Sequence, residues 1–527
     1  MKSTHPRRSA KPAVKDSILS CFPDKKAFLE KARQGNLVPV WRELLADQDS
    51  PVSAYEKVRE HLRRKGHATH TFLLESVEGG ENVGRYSFIG GAPRAILRAY
   101  GRRVTLQRPG GAEETLEADA DPLDALRRTM AQFRPVPDPA LPRFIGGAVG
   151  FLGYDCVSVF EPRVPARTDP SLRAPDMVFM ITEALIIFDR VRHTIRLIAN
   201  AWIGDDAEAA YEGAITVIEN LTEALRTPRA STLIDRHAPA PEIEPRSNTP
   251  RAEFEEAVRR AQEYIRAGDI IQVVLSQRFE TDFTGDSLDV YRALRSINPS
   301  PYMFCLDLGD SAMVGSSPEV HVRGEDGRAE LRPIAGTRPR AVDPAEDARL
   351  AAELLADPKE RAEHIMLVDL ARNDLGRVCR YGSVRVPELM VIERYSHVMH
   401  IVSDVAGELA PGMDAYQLMR ATFPAGTVSG APKIRAMEIV AELERARRGP
   451  YAGAVGYFSF SGNLDSCITI RTIILDLGKA YVQAGAGIVA DSDPGREYEE
   501  TQNKARGMFK ALALAGHFAA ARENRAP

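Results

Sequence analysis

Residues 485–504 (GAGIVADSDPGREYEETQNK) place two features side by side that favour ligands of opposite charge. The glycine-containing segment at the start leaves backbone N–H groups available to bind an anion. Glu497 and Glu500, a few residues later, would repel that anion. A divalent cation on the carboxylates resolves the conflict, because protein-bound Mg²⁺ commonly bridges to an anionic ligand. The tract predicts a metal-dependent enzyme for a small acidic molecule, and the alternative is a glycine turn before a solvated acidic helix.

A second pair of acids has the same spacing. Glu360 and Glu363 are three residues apart in residues 358–372, whose composition is helical, so both carboxylates lie on one helix face. Glu497 and Glu500 repeat this spacing, and the two helices could face each other across one Mg²⁺. One acid of each pair would then coordinate the ion and the other would hold water or neighbouring groups. The alternative is two exposed helix faces with ordinary charges.

Three loops are predicted to approach a ligand closely through small residues: 332–337, 423–432 and 485–487. Glycine permits unusual dihedral angles and exposes N–H donors, and Thr337 and Thr427 add hydroxyl groups. Arg471 lies in the β-like run 466–474, where its guanidinium fits a carboxylate of either a ligand or a structural aspartate. His400 could act as an acid or base near neutral pH, or could be a structural histidine.

Length and composition describe the chain that positions these residues. The 527 residues suffice for two or three domains, and the net charge of −4 gives no reason to expect nucleic acid or an anionic membrane as partner. No run of about 18 apolar residues is present. The five cysteines are widely spaced and odd in number, which favours neither a disulfide framework nor a zinc site and indicates a reducing, cytoplasmic location.

The proline-rich segment 236–250 is predicted to be a linker between two halves, residues 36–235 and 251–515. Residues 1–35 are predicted to be a disordered lead-in, since their basic start lacks the apolar core of a signal peptide. Both halves mix strands with helices without a regular βαβ rhythm, so an α+β architecture is expected. The predicted strands are 71–74, 95–100, 177–188 and 194–198, and the predicted helices are 122–133, 205–226 and 251–267.

Several motifs closely resemble the large subunits of anthranilate synthases, within the family of chorismate-utilising enzymes. They are IQVVLSQRF, GSSPE, RPIAGTRPR, ERAEHIMLVDLARNDLGRV, YSHVMHIVS, FPAGTVSGAPKIRAMEIV and YAGAVGYFSFSGNLDSCITIRT, together with the tract 485–504. All lie in order within residues 250–515, and LLES and GRYSFIG add weaker matches in the first half. The resemblance implies two β-sheets packed as a sandwich with helices outside, formed by two intertwined domains, of which residues 36–235 are regulatory and 251–515 bind chorismate.

The resemblance also implies a Mg²⁺-dependent conversion of chorismate and ammonia to anthranilate and pyruvate. Glu363 and Glu500 match the metal ligands, with Glu360 and Glu497 near its hydration shell. Glu319 matches the general acid for the C4 hydroxyl, and His400 matches the histidine of pyruvate elimination. The positions that match chorismate-contacting residues are Gly336, Thr337, Thr427, Tyr451, Arg471, Gly485, Ala486, Gly487 and Lys504.

Two positions separate branches of this family. Relatives that add water carry a lysine where this chain has Gln272, and an amide cannot act as a general base, so ammonia is expected as the nucleophile. Aminodeoxychorismate synthases typically carry a nucleophilic lysine where this chain has Ala335. Aminodeoxychorismate synthesis and a catalytically silent tryptophan-binding regulator remain the alternatives. A Mg²⁺ nucleotide enzyme is disfavoured because no P-loop motif is present.

The resemblance implies two further partners. None of the five cysteines lies in a Gly-x-Cys-x-Gly elbow, so glutamine would be hydrolysed by a separate amidotransferase subunit in a hetero-oligomer. L-Tryptophan would act as a feedback inhibitor at a site between the two halves. The residues assigned to that site are Glu75, Ser76, Arg85, Tyr86, Asn298, Pro301, Tyr302, Met303, Gly456, Tyr457 and Cys467.

Overall fold

The structure is a computed structural model that describes residues 20–66, 70–77, 84–116, 121–167, 172–228, 242–395 and 398–523. Residues 1–19 of the predicted lead-in and 236–241 of the predicted linker lie outside this part of the chain. In residues 20–35 the structure has a helix, Lys25–Lys31, which the Asp24 side chain caps by accepting a hydrogen bond from the Ala27 N–H. Phe28 of this helix is fully buried, so the described fold begins before residue 36.

Twelve α-helices are described. In chain order they are α1 (Lys25–Lys31), α2 (Pro51–Arg64), α3 (Pro122–Ala131), α4 (Val157–Phe160), α5 (Ala207–Arg226), α6 (Arg251–Ala267), α7 (Ser287–Ile297), α8 (Pro344–Ala356), α9 (Pro358–Gly376), α10 (Ala415–Thr422), α11 (Lys433–Leu443) and α12 (Pro494–Glu523). Short 3₁₀ turns cover Tyr154–Cys156 and Gly426–Val428. No described helix has the length and apolar character that crossing a membrane requires.

The described strands fall in both halves of the chain. Those of the first half are β1 (Leu37–Leu45), β2 (His70–Glu75), β3 (Tyr86–Gly91), β4 (Ala95–Tyr100), β5 (Arg103–Gln107), β6 (Glu113–Leu116), β7 (Gly147–Leu152), β8 (Met177–Thr182), β9 (Ala184–Asp189) and β10 (Thr194–Trp202). Those of the second half are β11 (Arg246–Ser247), β12 (Gln272–Asp282), β13 (Tyr302–Leu308), β14 (Ser311–Ser317), β15 (Val320–Glu325), β16 (Arg328–Leu331), β17 (Ile334–Pro339), β18 (Arg385–Arg394), β19 (Val398–Glu408), β20 (Gly430–Ala431), β21 (Ala454–Ser459), β22 (Leu464–Ile468), β23 (Thr472–Asp476) and β24 (Lys479–Ile488).

The strands form two antiparallel sheets of twelve strands each. The first has the order β1-β10-β9-β3-β2-β13-β14-β23-β24-β12-β11, with β20 also paired to β12. The second has the order β17-β19-β16-β15-β22-β21-β7-β8-β4-β5-β6, with β18 also paired to β19. Two pairings, β2 with β13 and β7 with β21, join strands of the two halves within the same sheet. The predicted α+β fold with two intertwined halves is therefore confirmed.

Apolar side chains from both sheets fill the space between them. Phe72 and Phe304 of the first sheet share one buried cluster with Val149, Phe151 and Val455 of the second. A second cluster lies between the first sheet and helices α2, α5, α7 and α12, so these helices cover its outer face. Since one face of a sheet must pack on another element, this arrangement is a sandwich with helices outside.

Two sequence-based strand predictions need correction. Residues 177–188 form two strands, β8 and β9, with Glu183 between them. The run 466–474 is likewise broken into β22 and β23, and Arg471 between them has a φ of +47°. A residue with left-handed backbone dihedral angles cannot continue a strand. Arg471 therefore lies in the turn between β22 and β23, and the backbone of that turn sets the direction of its side chain.

Candidate functional site

A cavity of about 1160 Å³ collects many of the residues that the motifs singled out. Its wall is formed by the segment 297–301, the residues after β14, strand β17, the start of β19, the turn at Arg471 and one face of α12. The predicted site residues that line it are Glu319, Gly336, Thr337, His400, Arg471, Glu500 and Lys504. Residues more than 180 positions apart therefore meet at one concave surface of the second half.

Arg471 supplies positive charge to this cavity. Its side chain is accessible through the cavity, although the surrounding protein lowers its pKa by desolvation. Among the described residues no carboxylate lies within 4 Å of the guanidinium, and the charge of Glu319 acts on it from further away. An arginine that is partly desolvated and has no protein partner is suited to bind a ligand carboxylate.

Residues 485–487 lie in β24 and not in a loop, which corrects the sequence-based interpretation. Ser276 and Val274 of β12 are paired with Gly485 and Gly487 on one side, whereas the pairing with β23 ends at Val482. The Gly485 carbonyl accepts a hydrogen bond from Lys504 Nζ at 3.0 Å, so it faces away from β12. In an antiparallel ladder the N–H and C=O groups of one residue point to the same side, and those of the residue two positions further along point there too. The N–H groups of Gly485 and Gly487 therefore point away from β12, toward the edge where pairing with β23 has already ended.

The small residues of this strand make room for two side chains. A Cβ at Gly485 would lie 2.8 Å from the Tyr451 hydroxyl, and a Cβ at Gly487 would lie 2.6 Å from Gln272 Nε2. Ala486, between them, is fully buried. Tyr451 is buried as well, which raises the pKa of its phenol. Gln272, Tyr451 and residues 485–487 themselves do not line the cavity. The strand is linked to the cavity wall through Lys504, which lines the cavity and donates to the Gly485 carbonyl.

The two acid pairs begin two helices. Asp357 caps α9 by accepting hydrogen bonds from the Lys359 and Glu360 N–H groups, which places Glu360 in its first turn. Glu497 lies in the first turn of α12. Acidic residues are favoured there because the N-terminus of a helix carries partial positive charge.

The carboxylates of these pairs influence one another. Burial raises the pKa of Glu363, and the charges of Glu360 and Glu500 raise it further. Burial also raises the pKa of Glu497, with a further contribution from Glu500. Gln272 Nε2 lies 3.4 Å from Glu363 Oε1. Acids of α9 and α12 are thus close enough for their charges to act on one another, and their joint role at a metal stays a prediction.

Two of these acids form ion pairs with neighbouring cationic side chains. Lys504 Nζ lies 2.7 Å from Glu500 Oε1, and Arg338 Nη1 lies 3.4 Å from Glu360 Oε1. In the described part of the chain, no three His, Cys, Asp or Glu side chains are close enough together to form a metal site. Carboxylates whose charges raise the pKa of Glu363 and Glu497 beyond the effect of burial nevertheless fit a divalent cation, which would remove their repulsion.

Glu319 lines the larger cavity, two residues after β14. Its Oε2 accepts a hydrogen bond from the Thr427 hydroxyl at 3.0 Å. Burial raises the pKa of Glu319, while Thr427 and the charges of Arg471 and Lys504 oppose that shift. A carboxyl group whose proton is retained to higher pH suits a general acid.

His400 and Thr337 lie on neighbouring strands, β19 and β17. His400 Nδ1 is 3.0 Å from both the Thr337 hydroxyl and the Gly336 carbonyl oxygen. Donation to that carbonyl assigns a proton to Nδ1 and leaves Nε2 as the basic nitrogen. Burial lowers the pKa of His400, so the imidazole is neutral at neutral pH.

Some residues of the cavity were not predicted. Arg251 on α6 pairs with Glu499 on α12 at 2.8 Å, and Arg496 and Asn503 also line the wall. Arg496 and Asn503 are four before and three after Glu500, so helical spacing places all three on one face of α12. That spacing could have identified them. The presence of Arg251 in the cavity wall depends on how α6 packs against α12, which local sequence does not specify.

A second cavity of about 350 Å³ lies between the two halves. Ten of the eleven residues assigned to the tryptophan site line it: Glu75, Ser76, Arg85, Tyr86, Pro301, Tyr302, Met303, Gly456, Tyr457 and Cys467. Asn298 does not; it lines the larger cavity and donates a hydrogen bond to Ser316 Oγ at 3.0 Å. Pro301 lines both cavities, so one segment separates them.

Aromatic rings and charged groups surround the smaller cavity. Tyr457 stacks on Phe144 with a centroid distance of 3.9 Å, and Phe88 lies nearby. The buried Glu75 carboxylate is bound by Arg190, Arg295 and the Tyr291 hydroxyl. The charged lining residues that sequence analysis missed are Arg143, Arg323, Glu325 and Asp465.

The fold and the cavity define a class of enzyme that binds a small anionic substrate. The model of the chorismate binding enzyme family matches residues 69–510, and this chain belongs to that family. It is 50% identical to anthranilate synthase component 1 of Synechocystis sp., over 93% of this chain and 99% of that protein. It is 48% identical to anthranilate synthase component 1 of Pseudomonas aeruginosa, again over 93% and 99% of the two chains.

Solved structures support the same assignment. The crystal structure of anthranilate synthase component I from Streptococcus pneumoniae is similar to this chain with a TM-score of 0.73 and 37% identity, covering 88% of this chain and 99% of that one. The menaquinone-specific isochorismate synthase of Escherichia coli shares the fold, with a TM-score of 0.65 and 18% identity over 92% and 98% of the chains. The predicted resemblance to anthranilate synthase large subunits is confirmed.

Proposed function

We propose that this chain is the large subunit of an anthranilate synthase, which converts chorismate and ammonia to anthranilate and pyruvate. The observation that carries the proposal is the cavity in which Arg471, which has no carboxylate partner among the described residues, lies on the same wall as the partly buried acid Glu319. Its cationic guanidinium can bind a carboxylate of the substrate, and the acid can protonate its leaving group. Curated relatives at about half identity carry the same name.

The substrate's two carboxylates need different partners. Arg471, the N–H groups on the open edge of residues 485–487 and Lys504 are suited to bind one carboxylate directly. Glu363 and Glu500 would hold Mg²⁺, with Glu360 and Glu497 around its hydration shell. A bound Mg²⁺ would neutralise the ring carboxylate and so overcome its repulsion by the four acids. Gly336 and Thr337 border the ring.

The first step replaces the C4 hydroxyl by an amino group at C2. Glu319 donates its proton to the C4 oxygen, which leaves as water, while ammonia bonds to C2 and both conjugated ring double bonds shift, from C1=C2 to C1=C6 and from C5=C6 to C4=C5. After loss of a proton from nitrogen, 2-amino-2-deoxyisochorismate remains. Thr427 holds the Glu319 carboxyl by a hydrogen bond to Oε2. Gln272 cannot activate water, because a neutral amide is not a base.

The second step removes the enolpyruvyl group as pyruvate and leaves an aromatic ring. The proton at C2 must leave as the C3–O bond breaks, and a base is needed near the ring. His400 is suited to take part, because it is neutral and its Nδ1 is held by Gly336, which leaves Nε2 basic. Aromatisation makes this step favourable.

Ammonia would come from an amidotransferase subunit that hydrolyses glutamine. All five cysteines are free, and burial raises the pKa of Cys156, Cys305, Cys379 and Cys467, which disfavours a thiolate nucleophile. This chain alone is therefore expected to use ammonium salts but not glutamine.

The experiment that tests the function is a product assay on the purified chain with chorismate and Mg²⁺. With ammonium at a pH of about 8.5, which raises the fraction of neutral ammonia, fluorescent anthranilate is expected, and with glutamine alone none. A stable aminated ring that still carries the enolpyruvyl group would instead identify an aminodeoxychorismate synthase. No conversion of chorismate would refute the proposal.

We further propose that the smaller cavity binds L-tryptophan and that residues 36–235 act as a regulatory domain toward the catalytic residues 251–515. The stacked aromatic rings and charged groups support an aromatic amino acid as ligand. Pro301 contributes to both cavities, so occupancy of one can bias the shape of the other.

Replacing Ser76 with leucine is expected to weaken inhibition by tryptophan about 10- to 100-fold, because overpacking a filled site costs about 1–3 kcal/mol. The rate without tryptophan should stay within about twofold, since Ser76 is not part of the larger cavity. The concentration of tryptophan for half-inhibition checks this. Ser311→Leu, at a position that lines neither cavity, is the control and should leave inhibition unchanged.

A further inference from the structure

The turn after α11 contains an arginine that is almost completely buried. Arg448 is 1% exposed and pairs with Glu444, which is 8% exposed. Its Nε lies 2.9 Å from Glu444 Oε2 and its Nη2 lies 2.6 Å from Glu444 Oε1, a two-pronged ion pair. Neither residue lines either of the two cavities described above.

The same guanidinium holds two backbone segments. Nη1 donates to the Val428 carbonyl and Nη2 to the Val274 carbonyl, both at 2.7 Å. Glu444 Oε1 also accepts from the N–H and the hydroxyl of Ser276, both at 2.8 Å. One fork-shaped cation thus fixes α11, the turn Gly426–Val428 and strand β12 relative to one another.

These segments lie directly behind the cavity wall. Val428 follows Thr427, whose hydroxyl is bound to Glu319. Ser276 is paired with Gly485 of β24. The Arg448 guanidinium also lies 5.7 Å from the centre of the Tyr451 ring, whose hydroxyl abuts Gly485.

We propose that Arg448 is a positioning residue, which holds Thr427 against Glu319 and the glycine-containing strand beside Tyr451. The inference rests on the proposed function of the cavity. A buried ion pair contributes little net stability compared with apolar residues of the same size. The Arg448 side chain, however, binds Glu444 and two carbonyl groups at once. It therefore fixes the positions of the neighbouring backbone segments with the accuracy that catalysis requires.

Two variants test this proposal. Arg448→Met combined with Glu444→Gln removes both charges and so leaves no buried ion without a partner. Arg448→Lys keeps the positive charge but loses the planar group that binds Glu444 at two points. We expect the double variant to lower kcat about 30- to 100-fold with KM for chorismate changed less than about threefold, because displacement of catalytic groups by an ångström costs about that much. Arg448→Lys should be intermediate.

The route of the effect is tested by a double-mutant cycle with Thr427→Val. In the wild-type background this change should lower kcat about tenfold, because the Glu319 carboxyl loses the hydrogen bond that orients it. In the Arg448→Lys background it should lower kcat less than about threefold, because Thr427 is already displaced. Effects that multiply independently would show that Arg448 does not act through Thr427.

A matched buried pair elsewhere is the control. Arg59 lies 3.3 Å from Asp307 and 2.8 Å from the partly exposed Asp286, and none of the three residues lines the larger cavity. Arg59→Met with Asp307→Asn should change the melting temperature but leave kcat within about twofold. A folded Arg448 variant whose kcat equals that of wild type would overturn the inference. If wild type itself makes no anthranilate, the proposed function fails instead.

Discussion

Replacement of Glu319 with glutamine is expected to lower kcat for anthranilate formation about 10²- to 10⁴-fold, the usual contribution of a general acid. Glutamine has the same shape and can still accept the hydrogen bond from Thr427, so the fold should be retained. It cannot donate a proton to the C4 oxygen at any pH. Steady-state rates with chorismate, Mg²⁺ and ammonium measure the effect.

The pH dependence of this variant gives a second test. A general acid works in its protonated form, so wild-type activity at a fixed concentration of free ammonia should fall as pH rises through the pKa of Glu319. Burial raises that pKa above the ordinary value of 4.5, which moves the fall to higher pH. The activity of Glu319→Gln should not show this fall with rising pH. Glu330→Gln, on β16 and outside both cavities, should show the same fall as wild type.

Replacement of Glu363 or Glu500 with glutamine is expected to lower kcat about 10³-fold, because a metal-bound carboxylate pair supplies several kcal/mol of charge stabilisation. Each change would remove one assigned Mg²⁺ ligand. Isothermal titration of the purified chain with Mg²⁺ provides a readout independent of activity. Wild type should bind the ion and be stabilised by it, and both variants should bind it at least about tenfold more weakly.

The stability of these variants has a predicted sign. Burial raises the pKa of Glu363, and the charges of Glu360 and Glu500 raise it further, so the acids repel each other when no cation is bound. Removing one charge should therefore leave the melting temperature without Mg²⁺ unchanged or higher. Asp369→Asn, at an exposed ion pair on the same helix as Glu363, is the control and should bind Mg²⁺ normally. Full activity and unchanged Mg²⁺ binding in Glu363→Gln would contradict the assignment.

Local sequence predicted the helices well. Residues 251–267 were expected to be helical and form α6 with the same bounds, because apolar spacing and the glycine after them are local signals. The acid pairs on α9 and α12 were likewise visible from spacing alone. Their approach to one another depends on the packing of distant elements and could only be proposed.

Strand pairing was the part that local sequence could not give. The run 466–474 has continuous β propensity, and nothing local indicates that Arg471 takes a left-handed conformation between two strands. Residues 485–487 resemble a turn, because glycines are usual there, yet they form a strand whose glycines admit Tyr451 and Gln272. Tertiary contacts set both outcomes.

The tryptophan-site assignments show the same limit. Ten of the eleven residues line one cavity because the pairing of β2 with β13 brings the two halves together. Asn298 is adjacent in sequence but faces the other cavity. Arg448 gave no sequence signal, since its role depends on the carbonyl groups that the fold places around it.

The central claim is that ammonia, and not water, attacks C2 of chorismate in the larger cavity. Mass spectrometry of the product made with ¹⁵N-labelled ammonium in ¹⁸O-labelled water tests it directly. The account predicts anthranilate that carries one ¹⁵N and no ¹⁸O, released together with pyruvate. A hydroxylated product that carries ¹⁸O, with no ¹⁵N in the ring substituent, would contradict it.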